Sequence, residues 1–253
     1  MADPRDLFDL SGFVACVTGA SSGLGRQAAS ALIRAGAQVV GVARRESELL
    51  DWQSEMGPNA HVVATDITQT DKLNDTVAAI SSRFGAPNIL VHAAGLNTRE
   101  TADNVTQGGW DATLAVNLTA PFFLSQALIA PMKTAGWGRI VNFASLQTSR
   151  AFPGGIAYGT TKAGIVQMTR AMAEAWSPHG ITANAIGPGF FPTELTAPVF
   201  DDPDRAARNA AQTCIGRNGQ LEDIDGPLLF LCSHASAYVT GQLLMVDGGY
   251  TAK

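Results

Sequence analysis

The chain has 253 residues, of which 46% are apolar and 15% charged, with a formal net charge of −5. That apolar content supports one large core and excludes a disordered chain, while the lack of any Lys/Arg block excludes a coat for nucleic acid or an anionic membrane. In chain order, the first ten residues, MADPRDLFDL, carry no apolar h-region, and no run of about 18 apolar residues stands out further on, so a cytoplasmic protein without a membrane span is expected. Short β-branched runs at 13–17, 38–43, 60–65, 89–92, 138–144, 181–186 and 243–246 read as strands. Helical patterns begin between them, near Gly23, Glu46, Thr70, Gln107, Gly155 and Glu222. This alternation predicts an α/β fold in a single domain over residues 1–253, a doubly wound sheet of seven parallel strands with helices on both faces. Residues 188–216, with Pro188, Pro192, Pro198 and Pro203, form a stretch too long for an ordinary connection and are a candidate substrate lid.

The turn after the first strand, TGASSGLG at 18–25, opens a helix. A helix leaves its first N–H groups unpaired and aimed at one spot, and glycines let a pyrophosphate reach them, so Gly19, Ser21, Ser22, Gly23, Leu24 and Gly25 are candidate phosphate-binding residues. The spacing is G-x3-G-x-G rather than G-x-G-x-x-G, and by itself it also describes a tight turn with no ligand. The end of the second strand separates cofactors. A site for NAD carries an acidic residue there for the ribose 2′-hydroxyl, whereas this chain has Ala43 followed by Arg44 and Arg45, forked donors suited to a 2′-phosphate. NADP(H) is therefore the expected cofactor, the alternative being two arginines that merely start a solvated helix.

Tyr158 and Lys162 stand at i and i+4 in AYGTTKAG and share a helix face. A phenol is a poor base at neutral pH, and an ammonium beside it favours the phenolate. Ser145 follows the fifth strand, at the carboxyl edge where open α/β sheets bind ligands, and its hydroxyl is placed to reach a carbonyl oxygen. A single Tyr-x3-Lys pair is common by chance, but it has company. TGASSGLG, Asp66-Ile67, AAG at 93–95, Asn117 in AVNLTAPF, Ser145, Tyr158 with Lys162, PGFFPT at 188–193 and the terminal VDGGY appear in one order over nearly the whole chain. Together they resemble the short-chain dehydrogenase/reductase family, whose fold is of Rossmann type.

The resemblance implies roles. Tyr158 would be the acid or base of carbonyl reduction or alcohol oxidation, Lys162 would hold the nicotinamide ribose and lower the phenol, Ser145 would position the substrate oxygen, and Asn117 would hold a relay water. Asp66 and Ile67 would contact the adenine, Ala94 and Gly95 the ribose, and Pro188, Gly189, Phe191 and Thr193 the carboxamide. Where the family often has Asn-Asn-Ala-Gly, this chain has His92-Ala93-Ala94-Gly95, and His92 reads as a structural residue at a strand end. The stretches LNTRE, FFPTELT and VDGGYTA look similar to gluconate 5-dehydrogenases and related sugar-acid dehydrogenases. On that likeness Arg99 or Arg150 would pair with a substrate carboxylate and Gln147 would read a hydroxyl; both arginines are equally readable as surface residues. The expected activity is NADP(H)-dependent interconversion of a secondary alcohol and a ketone on a sugar acid or polyol. A 3-oxoacyl thioester or broad ketone reductase is the alternative, through Phe190, Phe191 and Leu146, and an NADP-binding regulator without turnover is a third reading.

No metal site is expected. Cys16, Cys214 and Cys232 are odd in number, lack metal spacing and read as reduced core thiols. Residues 112–173 hold five basic side chains and no Asp or Glu. The helix with Tyr158 and Lys162 has Ile165, Val166, Met168, Ala171, Met172, Ala175 and Trp176 spread around much of its girth, so it is expected to be buried on more than one side. In the family this helix and the one after Gln107 form a subunit interface, which implies a homotetramer or a dimer.

Overall fold

Strand β1 (Val14–Thr18) is hidden along its whole length, and a strand covered on both faces needs apolar residues at consecutive positions, which VACVT largely provides. Strands β4 (Ile89–His92), β5 (Gly138–Phe143) and β6 (Ile181–Pro188) are likewise hidden throughout, and β2 (Gln38–Ala43) at all but its two end residues, while β3 (Ala60–Ala64) and β7 (Leu243–Val246) are more exposed. The protein is described here by a computed structural model covering residues 4–253; the first three residues of the stretch read as lacking a targeting segment lie outside the described residues. All seven strands pair in parallel in the order β3-β2-β1-β4-β5-β6-β7. The chain reverses its direction of travel across the sheet between β1 and β4, where Thr18 pairs with His92, and the crevice outside those strand ends is where such sheets bind ligands.

Successive strand residues point to opposite faces, which sorts the core into two layers. Val17, Val39, Val91 and Val141 meet α1 (Gly23–Arg34), α2 (Glu46–Met56) and α9 (Asp225–Cys232) through Ala28, Leu32, Leu49, Trp52, Leu228 and Leu231. Cys16, Val40, Leu90 and Ile140 meet α3 (Leu73–Ser81), α5 (Ala120–Ala135) and α6 (Ile156–Trp176) through Ile80, Leu124, Leu128, Met132, Met172 and Trp176. Helix α4 (Gln107–Leu114) starts where the Thr106 hydroxyl accepts from the Gly109 N–H. It runs through one π turn, Ala115–Thr119, into α5. This continuous helix, Gln107–Ala135, is long and apolar enough to cross a membrane, a span that the sequence count did not single out; here Leu124, Leu128, Ile129 and Met132 are spent on the core.

Helix α6 leaves Ile156, Ala163, Gln167, Ala171 and Ala175 on exposed positions of the single chain. Two readings change. The stretch 188–216 carries two helices not foreseen, α7 (Ala197–Phe200) and α8 (Pro203–Gln212). Of the cysteines, Cys16 and Cys232 are buried, but Cys214 is exposed; all three are free, and no cluster of three metal-ligating side chains occurs among the described residues.

Candidate active site

A cleft of about 670 Å³ opens along the carboxyl ends of the strands. Its floor is the turn between β1 and α1. Gly19 has φ +75, and a Cβ there would come within 2.7 Å of the Ala94 nitrogen, while a Cβ on Gly25 would collide with the Gly19 carbonyl. Glycine at these two positions brings α1 hard against β1 and β4 and leaves an open cradle at its N-terminus. Ser22 occupies the N-cap position but makes no capping hydrogen bond with its side chain, so the first amides of α1 keep their capacity for an anion. Ser21, Gly23 and Leu24 line the same cradle. At its outer end stand Arg44 and Arg45, and across from them Asp66 and Ile67. Asp66 accepts from the Thr68 amide and hydroxyl, and those bonds, with Arg44 nearby, hold its carboxyl below the usual range. The residues present therefore fit a dinucleotide: a glycine cradle with unspent amides, followed by a cationic end that lacks a carboxylate on β2.

The candidate catalytic residues stand at the other end. Tyr158 and Lys162 project from one face of α6, both buried, with the ammonium 5.5 Å from the centre of the phenol ring. Lys162 donates to the Phe143 carbonyl at the end of β5, which is 2.6 Å away, so it fastens the catalytic helix to the strand that presents Ser145. Burial lowers the Lys162 ammonium from 10.5 to about 8. Burial also pushes the Tyr158 phenol up, against the opposing pull of the Ser145 hydroxyl and the Arg99 charge. The Lys162 ammonium is turned to the Phe143 carbonyl, so its charge acts on the phenol through space. The phenol is thus a protonated acid at neutral pH, the form that donates to a carbonyl oxygen. Ser145 has extended backbone, and its hydroxyl accepts from the Gln147 amide at 3.1 Å.

Asn117 lies in the π turn, buried, outside the cleft lining. Its amide donates to the Leu96 carbonyl (2.8 Å) and the Thr161 hydroxyl (3.0 Å), and its oxygen accepts from the Leu96 N–H (2.8 Å). Both donors are spent on protein, so only a second lone pair on Oδ1 is left for the expected water. The residue ties the loop after β4 to α6. That loop carries Arg99, the only non-glycine with positive φ (57°) among the described residues, whose guanidinium donates to the Leu195 carbonyl on the lid. A carbonyl acceptor leaves its charge unneutralised. Glu100 beside it accepts from Thr98 and Thr106, which anchors the loop to the start of α4.

The cleft brings together Gly19, Ser21, Ser22, Gly23, Leu24, Gly25, Arg44, Arg45, Asp66, Ile67, Ala94, Gly95, Arg99, Ser145, Gln147, Tyr158, Lys162, Pro188, Gly189, Phe191 and Thr193. It does not include Arg150, which is exposed and donates to the Lys253 carbonyl at 2.7 Å. His92 is buried, bonded to Ser125 (2.8 Å) and depressed to about 4 by burial, a structural residue as expected. Sequence reading missed Arg205 on α8, which also lines the cleft. The Asp202-Pro203 pair, whose carboxylate caps α8 through the Arg205 amide, was the signal for that helix.

Comparison with known proteins agrees with this geometry. A family described as enoyl-(acyl carrier protein) reductase matches residues 19–251. A gluconate 5-dehydrogenase of Gluconobacter oxydans is 40% identical over 249 residues, 97% of either chain. A 3-oxoacyl-[acyl-carrier-protein] reductase of Vibrio cholerae is 34% identical over 241 residues, 95% of this chain and 98% of that one. A gluconate 5-dehydrogenase from Burkholderia cenocepacia, solved in complex with NADP and tartrate, superposes with a TM-score of 0.94 at 34% identity, covering 99% of this chain and 100% of that one. With the glycine cradle, the Ser145, Tyr158 and Lys162 group and these relatives over nearly its full length, the chain belongs to the short-chain dehydrogenase/reductase family of oxidoreductases.

Proposed function

We propose that the protein interconverts a secondary alcohol and a ketone on a sugar acid, using NADP(H). The observation that carries the reaction type is the convergence of Ser145, Tyr158 and Lys162 at one end of a cleft whose other end is a glycine cradle with Arg44 and Arg45. NADPH, when bound, supplies a hydride to the carbonyl carbon, and NADP accepts one in the oxidative direction. Gly19, Ser21, Ser22, Gly23, Leu24 and Gly25 hold the pyrophosphate, Arg44 and Arg45 the 2′-phosphate, Asp66 and Ile67 the adenine, Ala94 and Gly95 the ribose, and Pro188, Gly189, Phe191 and Thr193 the carboxamide. Ser145 donates a hydrogen bond to the substrate oxygen, and the Tyr158 hydroxyl delivers its proton to the same oxygen as the alcohol forms. Lys162 contributes the positive charge that favours the tyrosinate left behind. Asn117 keeps Tyr158 and the Arg99 loop in register.

Substrate class rests on Arg99. It stands in the cleft with its charge unneutralised, suits a carboxylate, and the relatives named for gluconate carry one on their substrate. Gln147 reads a hydroxyl of the chain. Phe152, Phe190 and Leu146 give the same cleft an apolar wall, which supports a 3-oxoacyl thioester as the second reading, in keeping with the Vibrio relative. We read residues 1–253 as one cytoplasmic domain with 188–216 as its lid, working as a homotetramer without nucleic-acid or membrane partners. Replacing Tyr158 with Phe tests catalysis against mere binding: turnover should fall by about 10²–10⁴ while NADPH, followed by its fluorescence, still binds. Undiminished turnover in that variant contradicts the assignment, and an inactive parent protein that binds NADPH favours a regulator.

A further inference from the structure

Arg45, expected to serve the cofactor's 2′-phosphate, is already engaged. Its Nη1 pairs with Glu194 Oε1 at 2.9 Å, and its Nη2 donates to the hydroxyls of Ser22 (2.7 Å) and Ser21 (3.1 Å). Ser22 in turn donates to the other carboxylate oxygen of Glu194 at 3.1 Å. Arg45 just past β2, Glu194 on the lid and Ser22 in the glycine-rich turn thus close a ring, with Ser21 bonded to Arg45 at its side, and all four line the cofactor cleft. The residue before Glu194, Thr193, packs its methyl against Gly23, so the ring is seated and not a stray surface contact.

The pairing is mutual: Arg45 holds the Glu194 carboxyl below its usual range, against the nearby charge of Glu48, and Glu194 holds the Arg45 guanidinium up. In the described residues Arg45 has ion-pair contacts only with Glu194 and Glu48, and Arg44 has none. Ser22 is the N-cap of α1, yet its hydroxyl is drawn to Glu194 instead of to the helix amides. A negative charge therefore already stands beside the α1 N-terminus, on the arginine that a phosphate would use. Taking up a phosphorylated dinucleotide requires Arg45 to exchange one anion for another, and leaves a carboxylate facing the added charge.

We propose that Glu194 is a specificity-setting residue of the cofactor site, a carboxylate on the lid that competes for Arg45 and so moderates the preference for NADP(H) over NAD(H). This rests on the cofactor reading above. The cofactor without the 2′-phosphate makes less demand on Arg45, so the effect of Glu194 falls mainly on the phosphorylated one.

The test is the pair of dissociation constants for NADPH and NADH, measured by nucleotide fluorescence at fixed ionic strength on wild type, Glu194→Gln, Arg45→Gln and the double variant. The Glu194 side chain is 65% exposed, so its replacement spares the fold, and thermal melts of all four proteins check this. In Glu194→Gln the ratio Kd(NADH)/Kd(NADPH) should rise about two- to fivefold, the range expected of an exposed ion pair, and in the Arg45→Gln background the rise should vanish. An unchanged or lower ratio in Glu194→Gln, or a rise that persists without Arg45, overturns the role given to Glu194. A wild type that binds NADH more tightly than NADPH overturns the cofactor reading instead.

Discussion

Burial acts on Tyr158 and Lys162 in opposite senses, raising the phenol and lowering the ammonium, because in each case it penalises the charged form. The phenol stays protonated through the neutral range, so Lys162 is the group whose charge changes within reach of assay. Below about 8 it is an ammonium; as pH rises through about 8 it becomes neutral, and the cation that favours tyrosinate is lost. The rate constant kcat/KM for carbonyl reduction should therefore fall as pH rises past about 8, measured with a substrate that does not itself titrate there; a profile flat to pH 9.5 contradicts it. Unfolding does not mimic this loss. Between about 8 and 10.5 the unfolded chain binds the Lys162 proton more fully than the folded one, so this group's contribution to stability rises with pH across that window. The i and i+4 spacing of Tyr158 and Lys162 made their shared face legible in the sequence, as did Ser145 at a strand end. The ties of Arg45 to Glu194 and of Arg150 to Lys253 join residues 149 and 103 positions apart, and no local pattern announces a contact made at such separation.

At the scale of elements, the strands were legible because parallel strands buried on both faces favour short apolar, β-branched-rich runs, as Val39-Val40 and Val42 in β2 and Ile140-Val141 in β5 show. The ends were less so. Helix α3 enters through a 3-10 turn at Thr70–Lys72 and α9 through one at Leu221–Ile224, so patterns placed near Thr70 and Glu222 begin in those turns. Helices α7 and α8 were hidden among four prolines that read as loop, although Pro at the first turn is where a helix tolerates it. Helices α5 and α6 carry the consequence for assembly. Phe123 on α5 is 40% exposed and Ile156 on α6 47%, with Ala163 and Ala171 also open, faces better suited to another copy of the chain than to water. Light scattering at micromolar concentration should give about four times the chain mass for wild type and a smaller species for Phe123→Glu. A monomeric wild type contradicts the assembly.

The whole molecule divides its charge unevenly. Residues 112–173 carry no Asp or Glu, and that stretch supplies Ser145, Tyr158, Lys162 and both helices with the open faces. In the function proposed above, one sheet arranges three demands along its carboxyl edge: anion binding over β1 and β2, proton transfer at β5 and α6, and substrate choice between the loop after β4 and the lid. On that proposal the last of these depends on Arg99, a charged residue in left-handed backbone held to Leu195. The most direct test compares kcat/KM for NADPH-dependent reduction of 5-ketogluconate with that for an uncharged ketohexose and a 3-oxoacyl thioester, in wild type and Arg99→Gln. The sugar acid should be preferred by about ten- to a hundredfold over the ketohexose, the worth of one charge-assisted contact, and Arg99→Gln should erase that margin. A sugar acid that stays inert while the neutral ketone or the thioester reacts contradicts the account.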